Sequence, residues 1–282
     1  MDDFIRNFAI TGEVRSLLAP LWLHLLHQNE DGDTCLHLAI INCNEQVVSA
    51  ILDIIPKPEC LDIYNDLTQT PLHLAVITRQ DRIVERLVDH GANVELVDRN
   101  GQTCIHLACQ QGDLKSLRAI FKQRPSKPEL TKKLPEILET RNFDGLTPLC
   151  IAVKANHVEI VKELIMLDVD VNAIDTKSGN TALHLAVEGN NLAMLACLLF
   201  KGKSNPNAMS YNGSTPLHIA AGLKLHPIIA TLVAAGADVC ITNAEGDTAF
   251  NMESVNCTNL PVKGFQTTKE TFNLSDKEEE ME

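Results

Sequence analysis

The chain has 282 residues, 45% of them hydrophobic but only 4% aromatic, so its core is aliphatic, drawn from Leu, Ile, Val and Ala. Lys and Arg number 24 against 37 Asp and Glu, and the formal net charge of −13 argues against direct nucleic-acid binding, since phosphates need basic partners; it suits a basic protein surface instead. Nine cysteines without a CxxC pair, an acidic Asp2-Asp3 start and no apolar run of about 18 residues point to a reducing cytosolic or nuclear compartment, not to secretion or a membrane.

In chain order, residues 1–28 read as a pair of capping helices, carried by Phe4, Ile5, Phe8, Val14, Leu17, Leu18, Leu25 and Leu26. Thr34 then opens the first of seven related units, followed by Thr70, Thr103, Thr147, Thr181, Thr215 and Thr248, at steps of 36, 33, 44, 34, 34 and 33 residues. Thr70-Pro71-Leu72-His73 and Thr215-Pro216-Leu217-His218 are full copies of one tetrapeptide; the others are degenerate. In most units the threonine closes a Gly-x-Thr tip, in which glycine permits a positive φ, threonine caps a first helix and proline takes its first position. A second helix follows, as in Ile83–Val88, and stops at Gly91; Gly236 is the other clear stop.

Two irregularities stand out. The second tip, Asp66-Leu67-Thr68-Gln69-Thr70, lacks its glycine, so an ordinary residue takes the strained turn or the turn differs. The step of 44 holds an insertion over 124–140, read as a long exposed connection rich in proline and lysine. Past Thr248-Ala249-Phe250 the seventh unit fails, and 256–282 is expected to be a disordered acidic tail, with Ser275 a kinase candidate because Asp276 and Glu278 follow it. The last units are therefore expected to be the least stable part of the free protein, ordering on a partner.

His37, His73, His106, His184 and His218 recur at one unit position, facing their counterparts in neighbouring units. A metal or catalytic role does not need one histidine per unit; hydrogen bonding to backbone or threonine of the adjoining turn explains all five. Cys35 and Cys104 in the proline slot and Cys150 in the histidine slot read as small buried hydrophobes. No phosphate loop, nucleophile elbow or metalloprotease motif is present, so the reading is of a non-enzyme without cofactor or metal.

A period near 33 with this tetrapeptide resembles ankyrin repeats, implying an all-α solenoid of about six full helix–turn–helix repeats with β-hairpin tips plus caps, the repeat domain running over 29–255 and presenting a concave face to a macromolecule. The strings Asn29–Ile41 and Asn65–Thr78 are more specific and resemble the opening repeats of the IκB family, while Ser178–Glu188 and Thr215–Gly222 resemble the ankyrin half of NF-kappa-B precursors, such as insect Relish. The resemblance implies a partner, a Rel homology dimer, held in the cytoplasm with some nuclear shuttling by a protein that is a monomer when free. It also implies that Glu30, Asp31 and Asp33 meet the partner's basic localisation segment, and that other tips (Asp66, Asn142, Phe143, Tyr211 and Asn212) meet its remaining surface. A nuclear IκB-type coregulator and a generic ankyrin adaptor are the alternatives. Leu164 followed by Asp170-Val171-Asn172 resembles the pattern of asparaginyl hydroxylation, against the plainer reading of Asn172 as a turn residue.

Overall fold

The computed structural model describes residues 25–55, 57–122 and 135–252; residues 1–24 of the expected cap and the acidic tail with Ser275 lie outside them. Each unit supplies an inner helix: α1 (Cys35–Ile41), α3 (Pro71–Ile77), α5 (Cys104–Gln111), α7 (Pro148–Lys154), α9 (Ala182–Glu188), α11 (Pro216–Gly222) and the short α13 (Ala249–Met252). Each of the first six is followed by an outer helix: α2 (Glu45–Ile54), α4 (Asp81–His90), α6 (Leu114–Phe121), α8 (Val158–Met166), α10 (Leu192–Ala196) and α12 (His226–Ala234). α10 runs on as a π-helical turn over Cys197–Lys201.

The inner helices start where threonine says they should. Thr34, Thr70, Thr103 and Thr147 sit in extended backbone, and each hydroxyl accepts from the backbone N–H three residues on. Pro71, Pro148 and Pro216 occupy first-turn positions where no helical N–H is needed. Inner helices stack on inner helices and outer on outer, so that one continuous aliphatic core runs the length of the array through residues such as Leu72, Ile105, Leu149 and Leu183. Ala75, Ala108, Ala152, Ala186 and Ala220 recur at one buried position, where only a methyl fits between stacked inner helices. The tips are turns; among the described residues their only strand-like pairing is the isolated bridges Ile174–Thr181 and Thr242–Thr248.

The 124–140 insertion is not exposed throughout. Residues 135–138 form a helical turn whose Ile137 and Leu138 are 2% and 1% exposed in the common core. The prolines and lysines of the segment outweighed this Ile-Leu pair in the sequence. Cys104, Cys109, Cys150 and Cys197 are buried, as the small-hydrophobe reading requires, but Cys35 is exposed. Its slot at the first turn of α1 faces outward in this opening unit.

At the second tip Thr68 takes the left-handed conformation itself, with φ at 55°. The turn is the ordinary one, adopted without the ordinary residue. A β-branched side chain pays about 1–2 kcal/mol there, which glycine avoids at some entropic loss in the unfolded chain. Thr68→Gly is therefore expected to raise stability by about 0.5–1 kcal/mol, read as a thermal midpoint up by about 2 °C; an unchanged or lower midpoint would show that the turn is not strained.

Candidate functional site

Five of the seven tips are built around one side chain that accepts two backbone N–H bonds and so folds the turn; at the fifth, Asp175 accepts three. Asn29 Oδ1 accepts from Asp31 and Asp33, Asn65 Oδ1 from Leu67 and Gln69, Asp98 Oδ1 from Asn100 and Gln102, and Asn243 Oδ1 from Glu245 and Asp247. Asn142 does the same for the fourth tip, accepting from Asp144 and Leu146 at 3.0 Å. It is 6% exposed, so its neighbour Phe143, not Asn142, offers a side chain outward. Tips then bond to tips: Asp66 N donates to Asp31 O, Phe143 N to Asn100 O, Thr176 N to Gly145 O, Tyr211 N to Ser178 O and Ala244 N to Asn212 O. The row of fingertips is thus a fixed surface, with its side chains carried in set order.

That order runs from acidic to aromatic. Glu30, Asp31 and Asp66 are exposed, and no Lys or Arg pairs with them among the described residues. Asp33, expected to join them, is buried instead: its Oδ1 accepts from Asn65 Nδ2 at 3.0 Å and ties the first tip to the second. The fourth and sixth tips present Phe143 at 71% and Tyr211 at 64% exposure. Each ring lies on the glycine of the preceding tip, where a Cβ on Gly101 would come within 2.5 Å of Phe143 and one on Gly179 within 2.6 Å of Tyr211. Close backing of this kind fixes an exposed aromatic in place, which suits it as an interface anchor. Asn212 is exposed at the same tip and accepts from Ser210 Oγ and Ser214 N.

Sequence reasoning missed one part of this face. Between the fifth and sixth tips lies a cleft of about 410 Å³, bordered by Ser178, Asn180, Glu188, Tyr211 and Asn212. Glu188 ends inner helix α9, and Asn180 Nδ2 donates to its Oε1 at 3.2 Å. The available signal was a lone carboxylate at the solvent end of an otherwise apolar inner helix.

The five histidines are structural. His37 Nδ1 accepts from Thr34 N and Thr34 Oγ1, while Nε2 donates to Gln69 O of the next unit at 3.1 Å. His73, His106, His184 and His218 repeat the arrangement onto Gln102, Leu146, Ser214 and Asp247 carbonyls. They do not face one another; each reaches a neighbouring backbone. A carbonyl only accepts, so Nε2 carries a proton, and the threonine N–H donated to Nδ1 leaves that nitrogen without one. Burial holds His37, His73 and His184 below the usual histidine value and His106 down to about 4. Among the described residues no group of three His, Cys, Asp or Glu side chains is placed to hold a metal, and no helix is long and apolar enough to cross a membrane. Burial also pushes the Cys104 thiol up to about 12, which leaves it protonated and unreactive. Asn172 is exposed, and its Oδ1 accepts from Asn205 N at 2.8 Å, joining the outer loops of units four and five.

Models of ankyrin repeats match residues 31–57 and, in three copies, 51–133, 125–210 and 149–243. The chain is 43% identical over 242 residues to the nuclear factor NF-kappa-B p105 subunit of Gallus gallus, covering 85% of this chain and 24% of that protein. It is 38% identical over 245 residues to human NF-kappa-B inhibitor epsilon, covering 86% of this chain and 48% of that one. Its structure matches the crystal structure of the ankyrin repeat domain of Bcl-3, titled a unique member of the IkappaB protein family. The TM-score is 0.72 at 42% identity, covering 79% of this chain and 95% of that one. The chain spans about a quarter of the length of the p105 subunit and about half that of inhibitor epsilon.

Proposed function

The chain belongs to the IκB family of ankyrin-repeat proteins, and on that premise we propose that it binds a Rel homology transcription-factor dimer, covers its basic nuclear localisation segment, takes it off DNA and so holds it in the cytoplasm. The supporting observation is the order of the tips. Exposed carboxylates of Glu30, Asp31 and Asp66 cluster at the first two, suited to a basic segment, and fixed aromatics at Phe143 and Tyr211 occupy later ones, suited to a folded domain. The work is done by surface complementarity, with no reacting group in it.

Titrating the protein into a Rel–DNA complex in a gel-shift assay is expected to remove the complex without a new band. A supershifted ternary band would favour the second reading, a coregulator that acts on DNA-bound dimers in the nucleus. No change at saturating protein would exclude both and leave an adaptor with another partner.

A further inference from the structure

The cleft between the fifth and sixth tips combines two features. It places a carboxylate and an aromatic ring on the same opening: Glu188 at the end of α9, and Tyr211, whose ring is backed by Gly179. Asn180 orients the Glu188 carboxylate through one oxygen, and no Lys or Arg is bonded to it among the described residues. Lys177, the one cation on the rim, is turned away and held at 2.7 Å by Asp144 of the preceding tip. Burial raises the Glu188 carboxyl above its ordinary range; Lys154 opposes this and Asp175 adds to it. A carboxylate that no cation bonds among the described residues, with Lys154 acting on it only through space, beside a fixed aromatic face is half of a cation-binding site.

We propose that this cleft receives an arginine side chain of the partner, its guanidinium pairing with Glu188 and lying against the Tyr211 ring. Arginine fits better than lysine, because a planar fork meets a carboxylate in two bonds while its face stacks on an aromatic. The backbone carbonyl of Ser214 is already taken by His184 and Ser210, so the recognition falls to the side chains of Glu188, Tyr211 and Asn212. The assignment rests on the reading of the chain as a Rel-dimer binder and names the chemistry that its later tips select.

The test uses the full chain and purified Rel homology dimers in an equilibrium binding assay, with ¹⁵N-resolved titration by N-acetyl-arginine amide as a second arm. Glu188→Gln and Tyr211→Leu are each expected to weaken dimer binding about ten-fold, and Tyr211→Phe to leave it near wild type. The double variant should lose less than the product of the two, since both contact one side chain. Both positions are exposed, so thermal midpoints stay at the wild-type value. Arginine amide should shift the resonances of Asn180, Glu188 and Tyr211 where N-acetyl-norleucine amide does not. Wild-type binding with unchanged affinity in both variants would overturn the cleft assignment alone, as would the absence of arginine-specific shifts. A wild-type chain that binds no Rel dimer would overturn the parent reading and the assignment with it.

Discussion

Lowering the pH from 7 to about 4 is expected to unfold the array. His37, His73, His106 and His184 are neutral in the folded chain because burial disfavours their charged form, and each has Nδ1 set against a donor, the threonine N–H. In the unfolded chain they take up protons near pH 6.5. Between that value and the depressed folded one the unfolded state binds more protons, so stability falls as pH falls. For His106, with its pKa at about 4, the loss amounts to on the order of 3 kcal/mol at pH 4. The other three act in the same direction, against a typical total of roughly 5–15 kcal/mol. Asp62 and Glu188, whose carboxyls burial holds above their ordinary range, offset a part of this on protonation. Urea midpoints should hold level above pH 6.5 and drop steadily below it. Equal midpoints at pH 7 and pH 4.5 would show that the imidazoles are not neutral struts.

Leu138→Ala is expected to remove about 2–5 kcal/mol, the loss seen when a leucine is truncated in a core that relaxes little. Leu138 is 1% exposed beside Ile137, in a segment that by composition reads as surface loop. The turn it anchors leads into the fourth tip, so the loss should weaken the seating of Phe143 as well as the core. Urea unfolding reads the effect directly. A change below about 0.5 kcal/mol, the usual value for a surface position, would return the segment to the status of a loop.

The repeat period, the threonine caps and the direction of the core were all legible in the sequence, because they rest on local signals repeated many times over. The second tip was legible only as a choice: a tip without glycine forces either a strained residue or another turn, and the structure takes the first, at Thr68. What local signals do not carry is which member of a short polar cluster turns inward. Asp33 and Asn142 look like their exposed neighbours in the sequence, yet tip geometry assigns one to the adjoining unit and the other to the interior of its own turn. Glu188 escaped notice for the converse reason: its meaning comes from Tyr211, which is 23 residues away in sequence and joins it only across the gap between two units.

The histidine bonds give the row of units a direction and a joint. Each imidazole grips the tip that follows it, but unit four carries Cys150, whose short side chain makes no such bond. Between units four and five the imidazole bond is missing, and the junction is held instead by apolar stacking, the Lys177–Asp144 pair, Thr176 N on Gly145 O, Arg141 on Ile174 O and Asn191 Nδ2 on Asn156 Oδ1. The junction without the imidazole bond therefore lies between Phe143 and Tyr211, the two aromatic fingertips. A partner that grips both reaches across the one change of grammar in the row, where one kind of fastening gives way to another.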